Sequence, residues 1–170
     1  MIEAFVTFIL SNFTLTFFVL GIVGAFIRCS TLSPERKRFD TARIFLGWFL
    51  FFSIGLSFLY NFAMHVFFAE MAAKFIGWAN SPFQYEVGYA SLGFGIVGII
   101  ATWSGISFRA AALIGPAFFL WGAAGGHIYQ IVTEHNMAPG NAGIMLWSDI
   151  LLPVVGFLLL GWQKAAERKY

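Results

Sequence analysis

The chain has 170 residues, 59% of them hydrophobic and only 11% charged, and a soluble domain of that size could not bury so much apolar surface. Its net charge of +2 and pI near 8.9 come from basic residues placed where cytoplasmic loops need them, so no nucleic-acid partner is implied. The single cysteine, Cys29, excludes an intrachain disulfide and a cysteine-based metal site.

The bilayer is therefore the expected solvent, and the chain reads as all-α: one transmembrane domain over residues 1–170, a five-helix bundle. A crossing needs roughly 20 apolar residues. The first such stretch covers residues 4–27; it lacks a basic leader and a small-residue cleavage site, so it reads as a retained helix rather than a signal peptide. A polar segment, 28–43, follows, with Ser33-Pro34 starting a short helical turn and the charges of SPERKRFD forming a solvated loop. The second span covers 44–68, with an exposed turn continuing through Lys74. Ser81-Pro82-Phe83-Gln84 reads as a capping box that opens the third span, 82–103, with Gln84 reaching back to the helix start. The fourth span covers 110–132, Ala138-Pro139-Gly140-Asn141 forms a turn, and the fifth span covers 143–162 before a basic tail.

Of the ten Lys and Arg residues, nine (Arg28, Arg36, Lys37, Arg38, Arg43, Arg109, Lys164, Arg168 and Lys169) fall on one side of this arrangement, and only Lys74 falls on the other. The positive-inside rule then puts the amino terminus outside and the carboxyl terminus in the cytoplasm, in a multi-pass protein of the cytoplasmic (inner) membrane. Trp48, Trp103 and Trp162 mark the inner interface and Trp78 and Trp147 the outer one, while Trp121 lies deep in span four as core packing. Small residues crowd spans three and four, from Gly88 to Gly98 and from Gly122 to Gly126. Such faces let membrane helices approach closely. Gly93–Gly98 matches GxGxxG only formally, because it lies in an apolar span and follows no strand.

Ionisable side chains inside spans are costly and point to function. At about 1.5 Å per residue, His65, Glu86, His127 and Asp149 lie at a common depth near the outer face on four different helices. Pro153 has no amide hydrogen, so the Asp149 carbonyl loses its usual helical donor. Asn61 lies one turn below His65, and Gln130 and Tyr129 flank His127, so these three are expected to support the site. Two imidazoles and two carboxylates make a plausible first shell for a divalent transition metal, Zn, Fe or Mn. Transport, structural and catalytic uses of that metal stand side by side; a catalytic site would act by oxidoreduction or hydrolysis on a lipid-soluble substrate. Two other readings use the same residues or faces. One is proton or cation handling without a tightly bound metal. The other is an accessory subunit whose small-residue faces dock a second copy or a larger membrane partner.

NSPFQYEVGYASLGFGIVGI at 80–99, GAAGGHIYQI at 122–131, and NMAPGNAG at 136–143 followed by SDILLP at 148–153 resemble a family of small bacterial and archaeal integral membrane proteins of unknown function. The resemblance covers roughly residues 45 to 160. It implies five spans, with Glu86, His127 and Asp149 inside the family's signature segments, and it supplies no activity, substrate or cofactor.

Overall fold

A computed structural model describes residues 1–168; Lys169 and Tyr170, and the side chains of Arg38 and Phe39, lie outside the described residues. The fold is all helix, with no strand among the described residues. Its elements are α1 (Ile2–Ser11), α2 (Phe13–Ser30), α3 (Pro34–Phe49), a π-helical segment (Leu50–Leu56), α4 (Ser57–Phe67), α5 (Ala69–Ile76), α6 (Phe83–Ala101), α7 (Ile106–Glu134), α8 (Pro139–Ala142) and α9 (Ile144–Glu167). Four helical stretches are long and apolar enough to cross a membrane: Phe13–Ser30, Asp40–Phe67, Ile106–Glu134 and Pro139–Glu167. The stretch expected as the third crossing forms the 19-residue helix α6. It is absent from that set of four, because Gln84, Tyr85 and Glu86 give it a polar first turn and its glycines dilute the rest.

Three boundaries differ from the sequence expectation, each for a local reason. The first stretch is not one helix. Asn12 leaves the helical region (φ −116°, ψ 40°) and its Nδ2 donates to the Phe8 carbonyl at 2.9 Å, a side-chain bond that competes with the helical ladder. The segment after Ser33-Pro34 is not a short turn: Pro34 starts a helix that runs without interruption into the π segment and α4. The chain breaks at Phe68 (φ −129°, ψ 35°), and residues beyond it form α5, whose Ala72 and Ala73 are buried rather than exposed.

α4 packs most extensively on α6 and α7 on α9, with α2 and α3 closing the bundle. The tight contact to α6 depends on glycine. A Cβ on Gly88 would lie 2.5 Å from Val66 Cγ2, and one on Gly98 would lie 2.8 Å from the Gly55 nitrogen. In span four the small residues do something else: Gly122 and Gly125 have nothing within 4 Å of a Cβ position. The core lies toward the basic end, where Leu46, Phe49, Leu50, Ile54, Leu113 and Ala101 interlock. Trp121 lies outside it, 38% exposed, with Nε1 donating to the Ile150 carbonyl at 3.3 Å on α9.

Candidate functional site

At the end opposite the arginines, the bundle opens into a cavity of about 1050 Å³. Its walls are mostly Phe, Leu, Met and Ala side chains from α1, α2, α4, α5, α7 and α9, and His65, Gln84, His127 and Asp149 line it among them. A concave, largely apolar space with a few convergent polar groups is the usual form of a small-molecule site.

His127 and Asp149 meet there, on facing turns of α7 and α9, with Nε2 3.5 Å from Oδ2. Both are buried, at 6% and 4% exposure. Asn141, fully buried in α8, fixes the imidazole. Its Nδ2 donates to the His127 carbonyl at 3.2 Å and to the Asn136 carbonyl at 2.9 Å. Those two bonds set the amide orientation, so Oδ1 is the acceptor for its two other neighbours. They are Trp78 Nε1 at 3.0 Å and His127 Nδ1 at 2.8 Å. Nδ1 therefore carries a hydrogen, and Nε2 faces the carboxyl of Asp149. A proton on Oδ2 would make these two groups a neutral pair, and one on Nε2 an ion pair.

The loops that hold Asn141 are themselves tied down. Asn136 Nδ2 donates to the Ile76 and Gly77 carbonyls at 3.0 and 3.2 Å, and its Oδ1 accepts from the Ala138 amide at 3.0 Å. Gly77 takes a left-handed φ of 76°, and a Cβ there would lie 2.8 Å from Asn136 Oδ1. Trp78 is thereby carried over His127, with ring centroids 5.3 Å apart. Gly126 gives it room, since a Cβ there would already lie 3.3 Å from the indole.

His65 forms a separate pair: its Nδ1 is hydrogen-bonded to Gln84 Oε1. Gln84 therefore does not close the expected capping box, and α6 has no side-chain cap. Below His65, Asn61 donates to Ser91 Oγ at 2.9 Å. Ser53, Ser57, Asn61 and His65 recur every four residues and all four line the cavity, a stripe kept on one face across the π segment. The Ser53 hydroxyl is buried and has no partner among the described residues. Across the space, Thr14 and Ser148 share a hydroxyl hydrogen bond of 2.8 Å.

The expected quartet is not assembled. Glu86 is exposed, because two residues along α6 from buried Gln84 is more than half a turn around the helix. Tyr129, at 63% exposure, faces away from the site, and Gln130 is only half-buried, with no side-chain bond to His127. Among the described residues, no three His, Cys, Asp or Glu side chains are grouped so that they could hold a metal ion. His127, Asp149, His65 and Asn61 remain at the cavity, joined by Trp78, Gln84 and Ser53 and backed by Asn141 behind His127, none of which the sequence marked as site residues. The four-residue spacing of Ser53, Ser57, Asn61 and His65 was the one available signal.

A family model described as a family of unknown function (DUF6790) matches residues 11–169, nearly the whole chain. No curated protein and no solved structure matches it.

Proposed function

The chain belongs to that family, whose description carries no activity, and from the geometry of this member we propose that it is a five-crossing membrane protein that binds an amphipathic, lipid-soluble molecule. In this reading α6, third in chain order, joins the four longer stretches as a crossing, with its polar first turn at the interface. The observation that carries the reading is the cavity of about 1050 Å³, apolar-walled and wide enough for a drug-sized or lipid-like molecule, into which the His127–Asp149 pair is turned. The ligand's polar group is held by that pair, which accepts or returns a proton without separating charge far from a partner. The apolar body lies against Phe118, Phe119 and Met64.

The stripe from Ser53 to His65 favours a second reading, proton or cation handling, in which the same cavity holds water that relays charge along the hydroxyls. The two separate in one experiment. Gly122 lines the cavity, and a Cβ there meets nothing within 4 Å, so Gly122→Phe adds a ring at the cavity wall without a clash at its Cβ. Organic extracts of the purified parent, analysed by mass spectrometry, are expected to contain one enriched small molecule that is missing from Gly122→Phe and reduced in Asp149→Asn. Identical extracts from parent and Gly122→Phe would remove the ligand reading and leave proton handling.

A further inference from the structure

A second cavity, about 450 Å³, lies at the opposite end of the bundle, between the end of α2, the length of α3 from Arg36 into the π segment at Phe51, the first turn of α7 and the end of α6. It is lined by the guanidinium groups of Arg28, Arg36, Arg43 and Arg109 and by one carboxylate, Asp40. That carboxylate is already committed, at 3.2 Å, to Arg36. Arg28 donates to a neutral hydroxyl, Thr31 Oγ1, at 2.9 Å, and Arg43 forms no ion pair among the described residues. These residues answer to loop placement by the positive-inside rule, but Arg109 does not, being only 2% exposed.

The Arg109 guanidinium is well supplied with hydrogen bonds and poorly supplied with charge. Nε donates to the Ala101 carbonyl at 3.1 Å, Nη1 to the Arg43 carbonyl at 2.9 Å and to Gln163 Oε1 at 2.7 Å, and Nη2 to the Thr102 carbonyl. All four acceptors are neutral oxygens. The carbonyl end of α6 contributes partial negative charge, and the nearest carboxylate in the chain of bonds, Glu167, reaches Arg109 only through the Gln163 amide. A buried cation without an anionic partner is costly, and this one borders a cavity with three further guanidiniums. Aromatic side chains form the remaining wall: Trp48, Phe51 and Trp103, the last 70% exposed and edge-on to Phe51 at 6.1 Å.

We propose that this cavity is the headgroup site of an anionic phospholipid, the phosphate taken by Arg28 and Arg43 against the buried charge of Arg109. The acyl chains leave over Phe51 and Trp103. Basic pockets between helices at the membrane surface bind lipid headgroups in this way, and the aromatic wall suits an anion that arrives with hydrocarbon attached rather than a free phosphate. The site is independent of the cavity at the other end.

The full chain, purified in detergent and exchanged into equal amounts of phosphatidylglycerol and phosphatidylcholine, is read by native mass spectrometry. The parent is expected to retain phosphatidylglycerol over phosphatidylcholine by about tenfold or more. Both arginines are exposed, so Arg28→Gln/Arg43→Gln is expected to fold as the parent does and to lose the preference, while Lys74→Gln at the opposite end keeps it. Equal retention of the two lipids by the parent, or an unchanged preference in the double variant, would overturn the proposal. So would displacement of the lipid by millimolar inorganic phosphate that itself remains bound, which would assign the site to a free anion.

Discussion

Asn141 holds the candidate site together with four hydrogen bonds, two donated to carbonyls and two accepted from side chains. Replacing it with Ala takes the acceptor from the buried His127 Nδ1 and the part-buried Trp78 Nε1 and a donor from the Asn136 carbonyl at once, and Asn141→Ala is expected to cost about 3 kcal/mol, at the upper end for a polar deletion, read as a fall in melting temperature in detergent. Asn141→Asp keeps the shape and the acceptor but loses both donated bonds, so it should be destabilised as well; a melting temperature equal to the parent's would show that the amide orientation assigned here is wrong. His127 and Asp149 were legible in the sequence because an ionisable group in an apolar run must have a reason to be there. Asn141 was not, because a neutral amide after Pro-Gly reads as turn chemistry. Glu86 shows the opposite failure: its depth was readable from its distance to the helix start, but its direction around α6 depended on which face the neighbouring helices covered.

The helices differ in how far the sequence determined them. Apolar length located α7 and α9 within a few residues of their observed ends, since lipid requires every backbone group to be satisfied within the helix. The break at Asn12, the π segment and the separation of α5 depend on single side chains and on packing, and they were not readable from hydropathy. The glycines of α6 allow a direct comparison between packing and propensity. Gly98→Ala places a methyl 2.8 Å from the Gly55 nitrogen, a backbone atom that cannot turn aside, and about 1–3 kcal/mol of destabilisation is expected. Gly93→Ala on the same helix meets nothing within 4 Å and is expected to gain roughly 0.5–1 kcal/mol from the lost flexibility of glycine. Equal effects of the two substitutions on the melting temperature would mean that the close contact of α6 with the π segment is not formed.

Across the whole molecule, chemistry is divided between the two ends: histidines and most carboxylates at one, arginines at the other, with an apolar core between them. In the proposed arrangement of five crossings with the basic end inside, Lys74 and Lys37 face opposite compartments. An amine reagent that cannot cross the membrane, applied to intact cells, is expected to modify Lys74 and spare Lys37 and Lys164 when the peptides are mapped by mass spectrometry. Modification of Lys37 with Lys74 spared would reverse the orientation, and modification of both would remove the crossing between them.

Phe58, Leu120 and Leu152 line the large cavity and belong to the same packed core as Leu46, Phe49, Leu50, Ile54 and Leu113. If the cavity binds a ligand as proposed, that core separates it from the arginine end, and exchange with a single compartment or leaflet would set its occupancy. Such a chamber suits holding, sensing or chemically altering its guest, with residence time as the quantity that selection acts on. Throughput from one side to the other would require that core to come apart.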